Sequence, residues 1–154
     1  MVAHTLFSHL EDPRSVLKEI GRVVRPGGSV GIFDGDYASL TFATDEPEEG
    51  RLADEAIISS IVTNPRVMRQ MPQLLWEAGL GLVAAHPHLV ADIGRADFFA
   101  PAIDSFVKLV PKAGAMSTTE AEQWAAGMAR RSGRGTFFGA CNYYAYVARK
   151  DAGA

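Results

Sequence analysis

Two small groups of polar residues near the start of the chain have the types and spacing to do chemistry. His9 carries the side chain that titrates near neutral pH, so it could take a proton from a substrate hydroxyl. The competing role for His9 is local: capping or packing against the helix that follows. Asp34, Asp36 and Tyr37 form the second group. If a strand ends at Asp34, all three stand at its carboxyl end, where open α/β sheets place ligands, and they would face a substrate. Asp34-Gly35-Asp36 is also a turn signal, so a hydrogen-bonded loop is the alternative. His86 and His88 are two apart, which on a strand puts both on one face, a spacing that suits a metal ion. Beyond Asp92 no third ligand is evident, so no metal site is expected, and an exposed edge-strand pair is the preferred reading. Phe98, Phe99, Phe106 and Trp124 could close over a ligand as an aromatic lid, although their helical spacing favours ordinary packing. Cys141 lies in an apolar stretch with no basic neighbour, and reads as core.

These residues need elements to hold them. Asp12 can cap the free amides of a first helical turn, and Pro13 suits the first helical position. Val16, Leu17, Ile20, Val23 and Val24 then recur at helical spacing, which predicts a helix over 12–24. Pro26 stops it, and Pro26-Gly27-Gly28 turns into a strand over 29–34 with no polar alternation, the mark of a strand covered on both faces. Residues 1–6 would be the tail of an earlier strand. After Asp34 the chain reads as loop through Gly50, with the acidic run 45–49 leading into a helix over 48–62. Asn64 and Pro65 restart a helix that runs to Gly79, and Pro72 predicts a kink or break within it.

Residues 80–93 read as a strand, and Pro87, which cannot donate to a ladder, places it at a sheet edge or gives it a bulge. A helical stripe follows from Phe98 to Val110. Ser117-Thr118-Thr119-Glu120 is a capping box that opens a helix to about Arg131. Residues 136–149, rich in Phe, Tyr and Val, close the chain as a long strand. The order β-α-β-α-α-β-α-α-β predicts an α/β fold. Helices between strands favour a parallel or mixed sheet with helices on its faces, and the long last strand, arriving after a helical excursion, is the candidate for an antiparallel member of a mostly parallel sheet.

The chain has 154 residues, enough for one domain, and is 47% hydrophobic and 21% charged, so it can bury a core. A net charge of -3 argues against broad electrostatic binding of nucleic acid. The single cysteine excludes an intramolecular disulfide and suits a reducing compartment. No stretch approaches the length of a membrane span, and Met1-Val2-Ala3-His4 lacks the layout of a secretory signal, so a cytoplasmic protein without membrane contact is expected.

The run His4 to Pro13, the segment Leu17 to Gly28 with its Arg22-Val23-Val24-Arg25-Pro26-Gly27-Gly28 turn, and Val30 to Asp34 resemble the second half of a class I S-adenosylmethionine-dependent methyltransferase. The ubiquinone and menaquinone-biosynthesis type is the most similar. Gln73 to Leu80, ending in Ala78-Gly79-Leu80, is similar to the helix that precedes strand six of that family. The resemblance implies a partial Rossmann-like fold within the family order 3-2-1-4-5-7-6. Residues 1–6, 29–34, 80–93 and 136–149 would be strands four to seven, with seven antiparallel. It also implies S-adenosylmethionine as cofactor, a small-molecule methyl acceptor, and His4 and Thr5 beside the methionine part of the cofactor. The excursion over 94–134 would shape the acceptor pocket.

The family's glycine-rich turn after strand one, and the acidic ribose ligand after strand two, match nothing in this sequence. The expectation is therefore a carboxyl-terminal half, as a single domain over 1–154, that does not bind cofactor alone. Such a half would act in a parent enzyme, or as a non-catalytic module joined to a second copy or to a separate amino-terminal half.

Overall fold

Asp12 caps the first helix where its position predicts, its carboxylate accepting from the Ser15 amide at 3.0 Å, and helix α1 spans Pro13–Val23. The computed structural model describes residues 1–152. Around α1 it places strand β1 (Val2–His4), strand β2 (Ser29–Phe42), helices α2 (Pro47–Ile61) and α3 (Val67–Glu77), strand β3 (Leu80–Gly94), helices α4 (Ala100–Lys112) and α5 (Thr118–Arg134), and strand β4 (Phe137–Lys150). The sheet order is β1-β2-β4-β3. β1 and β2 are parallel, with Ala3 opposite Ile32. β4 runs against β2: Lys150 exchanges hydrogen bonds with Gly27 and Gly28, while Ala43 donates to Phe138. Three strands thus share one direction and the last is reversed, as expected. Each pair that involves β4 is therefore an antiparallel ladder, and β1–β2 is the parallel one.

β3 lies at the sheet edge, where Pro87 requires it to be, since an edge position leaves the missing donor without a partner strand. The capping box of α5 is complete: Glu120 N donates to Ser117 Oγ at 3.2 Å, and Ser117 N donates to Glu120 Oε2 at 2.8 Å. Gly135 ends that helix in the left-handed region at φ 73°.

Three expectations change. β2 does not end at Asp34; it continues to Phe42, so the predicted loop after Asp34 is strand for eight more residues. Asp34-Gly35-Asp36 looks like a turn because isolated acids and glycine favour turns, but here both buried acids find partners, Ser8 in the core and the half-exposed Arg69, that stabilise an extended backbone. The third helix begins at Val67, not at Asn64. It also runs through Pro72 without a break. Pro72 has no N–H for the carbonyl of Met68 four residues earlier, and the buried Tyr146 hydroxyl donates to that carbonyl at 3.0 Å instead.

The chain divides into two compact units. The first comprises residues 1–37, 63–88 and the chain from Asn142 onward. Its core joins Ala3, Val30, Ile32 and Tyr146 of the sheet to Leu17 and Ile20 of α1 and to Met68, Met71 and Leu75 of α3. Gly21 lets these two helices meet, because a Cβ there would stand 2.3 Å from the Ala78 carbonyl oxygen. The second unit comprises residues 38–62 and 89–141. Its centre is Phe42, which meets Phe99 and Trp124 edge-on with ring centroids at 5.3 Å.

Candidate functional site

The turn after β1 is fixed by hydrogen bonds with β2 and with residues 63–64. Phe7–His9 form one turn of 3-10 helix, and Ser8 at its middle is fully buried. Every polar group of Ser8 is used. Its amide donates to Asp34 Oδ2 at 2.9 Å and its hydroxyl to Asp34 Oδ1 at 3.0 Å. Its carbonyl accepts from the amides of Thr63 at 3.0 Å and Asn64 at 2.8 Å. The Asn64 side chain adds a bond to the Leu10 carbonyl. Asn64 therefore clamps this turn rather than capping a helix. His9 stands exposed on a backbone held from two sides, and no cap bond from its side chain to the next helix forms.

Just before that turn, Thr5 takes φ 45°, a left-handed conformation that a β-branched residue rarely adopts. Its amide donates to the Phe33 carbonyl at 2.8 Å, and its hydroxyl lies 3.1 Å from His4 Nδ1. Strain of this kind costs roughly 1–3 kcal/mol and persists where the surroundings over-determine the chain. The His4 ring stacks on Phe33 at 5.0 Å, and Phe33 stacks on Tyr143 at 5.5 Å. His88 approaches Phe33 edge-on at 6.1 Å, so a half-exposed aromatic row crosses β1, β2, β4 and β3 within this unit.

The structure does not bring Asp34, Asp36 and Tyr37 together on one surface. Along β2 the side chains alternate. Asp34 and Asp36 point with Val30 and Ile32 toward the helix-covered face, 0% and 2% exposed. Asp34 serves Ser8 and the Gly35 amide, the latter at 2.8 Å. Asp36 meets Arg69 of α3, whose Nε and Nη2 both lie 2.9 Å from its carboxylate, and these bonds raise the Arg69 pKa further. Tyr37 points the other way, edge-on to Tyr143 at 6.3 Å. Its ring rests against bare backbone, because a Cβ on Gly35 would stand 2.9 Å from it. Ser8, Arg69 and Tyr143 are the partners that sequence reasoning missed. A serine, an arginine and a tyrosine far apart in sequence give no periodic signal.

The remaining candidates are simple to place. His86 and His88 are exposed on the edge strand β3, and no group of three metal-ligating side chains exists among the described residues. Asp92 accepts the amides of Asp97 and Phe99 at 2.8 and 2.9 Å. Phe99 and Phe106 are core residues, Phe98 is exposed, and Cys141 is buried. No described helix is long and apolar enough to cross a membrane.

Five of the described glycines take positive φ. Gly27, Gly79, Gly114 and Gly135 each follow a helix, and Gly94 ends β3. Only Gly94 leads from a strand toward a helix, and residues 95–99, which include no further glycine, separate it from α4, so none of these glycines makes the glycine-rich strand-to-helix turn that cradles a nucleotide. Among the described residues no glycine-rich strand-to-helix turn is present to hold the adenosine of S-adenosylmethionine.

The order β1-β2-β4-β3 with its reversed last strand is a methyltransferase-like Rossmann arrangement, the one that the resemblance implied for strands four, five, seven and six. A candidate methyltransferase from Bacillus halodurans C-125 superposes with a TM-score of 0.58 at 15% identity, over 97% of this chain and 68% of that one. The [4+2]-cyclase SpnF superposes with a TM-score of 0.49 at 16% identity, over 99% of this chain and 50% of that one. In sequence, the chain is 27% identical over 146 residues to an uncharacterized 37.1 kDa protein in transposon Tn4556 of Streptomyces fradiae. It spans 41% of that relative's length. No family model matches the chain.

Proposed function

We propose that these residues form the strand-four-to-seven half of an enzyme that transfers a methyl group from S-adenosylmethionine to a small-molecule acceptor. The observation that carries the reading is the sheet order β1-β2-β4-β3 with its reversed last strand, together with the left-handed Thr5 at the carboxyl end of β1. His4 and Thr5 lie where the methionine end of the cofactor is expected, and the nucleotide part is held by residues outside this chain. His9 is the proton acceptor, kept in place by the Ser8 clamp, so that an acceptor hydroxyl meets a fixed base. In this reading Asp34 positions the His9 turn, Asp36 ties α3 to β2, and Tyr37, on the opposite face of β2, faces the acceptor.

Calorimetry with S-adenosylhomocysteine tests it. The 154 residues alone give no binding, and the same chain joined to the residues encoded upstream of Met1 binds. A joined chain that binds none refutes methyl transfer. Micromolar binding by the 154 residues alone refutes the division of the site. In the joined protein, His9→Gln lowers turnover and leaves cofactor affinity within about twofold; unchanged turnover removes the base role.

A second reading, a half-domain that assembles with a second copy or with a separate amino-terminal half, is favoured by the sheet edge. β1 is three residues long, stands at the end of the sheet, and leaves Val2 81% exposed. Light scattering on the eluting protein gives a homodimer on this reading, and a well-folded monomer counts against it.

A further inference from the structure

The second unit contains a cavity of about 660 Å³ between α2 and α5, within the range of sites that hold small organic molecules. Its apolar wall is Leu52, Ala53, Ala56, Met116 and Met128, and Trp124 adds an indole. The charged residues of its lining are unbalanced. Asp45, Glu49 and Glu120 supply three carboxylates against the one guanidinium of Arg131. Arg131 is already paired with Asp45. That leaves Glu49 and Glu120 uncompensated by any side chain of the lining. Both sit in the first turn of a helix, Glu49 in α2 and Glu120 in α5, and each helix start contributes roughly half a positive charge. The lining remains negative after that correction. An apolar space with a negative rim selects an organic cation: its ammonium group meets the carboxylates, while its hydrocarbon body packs against the apolar wall and Trp124. A carboxylate ligand would meet like charge, and its natural counter-ion, Arg131, is occupied.

We propose that the cavity between α2 and α5 is a binding site for a lipophilic amine. The site lies wholly within the second unit and draws on the excursion over 94–134; its test needs no cofactor, so it can fail while methyl transfer stands, and the reverse. Trp76, 74% exposed, and Trp124 are the two tryptophans of the chain, so Trp76→Phe leaves Trp124 as the sole indole reporter. The probes are 4-phenylbutylamine, 4-phenylbutanol and 4-phenylbutyrate, which share one apolar body and differ in head-group charge. Titration followed by Trp124 emission and by calorimetry gives saturable binding of the amine, at least about fivefold tighter than the alcohol, with the acid weakest. Glu49→Gln weakens the amine about fivefold and leaves the alcohol unchanged. Ala56→Phe, which fills the cavity, abolishes binding while circular dichroism stays native. The proposal is overturned by an alcohol that binds as tightly as the amine, by an acid that binds more tightly, or by no saturable response to any probe. It is equally overturned if amine affinity survives both Glu49→Gln and a folded Ala56→Phe.

Discussion

Replacing Tyr146 by Phe isolates the bond that lets α3 carry a proline. The Tyr146 hydroxyl donates to the Met68 carbonyl at 3.0 Å in a buried setting, and Pro72 is the residue whose amide would otherwise occupy that acceptor. Tyr146→Phe keeps the ring and leaves the carbonyl without a donor, which costs about 1–3 kcal/mol. For a chain of this length each kilocalorie moves the melting temperature by about 2–4 °C, so the variant should melt roughly 2–12 °C lower. Pro72 is exposed, and Pro72→Ala restores an intrahelical donor with little packing lost. In that background Tyr146→Phe should cost at least about 1 kcal/mol less. The assay is a double-mutant cycle by urea unfolding and calorimetry. Additive effects, with a coupling below about 0.5 kcal/mol, would refute the reasoning. Burial also raises the Tyr146 pKa above its ordinary 10.0, so the contribution of its un-ionised form is whole below that pH and is lost as pH rises through the folded value.

Asp54 gives a prediction of pH dependence. Desolvation raises its pKa from 3.8 to about 6, against the opposing bonds from Thr41 and the Phe42 amide. The folded state therefore favours the neutral acid, and stability present below pH 4 is lost as pH rises through 6. Discounted for partial exposure, the loss is about 2 kcal/mol. Asp54→Asn should be more stable than the parent by about that amount at pH 7.5 and nearly equal at pH 4; parallel pH profiles for the two proteins would show that Asp54 is not responsible. Asp34→Asn places an amide donor against the donors of Ser8 and Gly35, and should cost about 2–3 kcal/mol in denaturant unfolding while speeding hydrogen exchange at the Ser8 amide. A change below about 0.5 kcal/mol would mean that the Ser8 turn is held mainly by Thr63 and Asn64.

What the sequence determined by itself was set by local rules. The Asp12 cap, the Ser117–Glu120 box and the Pro87 edge depend on residues a few positions apart, and each appears where spacing places it; of the apolar stripe of α1, Leu17, Ile20 and Val24 are buried while Val23 is exposed. The reversed last strand could be read from the order of elements together with the family resemblance. The tertiary structure alone decided where the acids of β2 go. Asp34-Gly35-Asp36 carries a turn signal at short range, and only Ser8, 26 residues away, and Arg69, 33 residues away, make an extended buried backbone affordable there. It alone turned Asn64 from a helix start into a clamp on the His9 turn, and let Pro72 sit inside a helix through a hydroxyl 78 residues from the carbonyl it serves. Periodicity reports which face of an element is apolar. It carries no information about which distant donor will meet a buried acceptor, because that pairing exists only after the chain has folded.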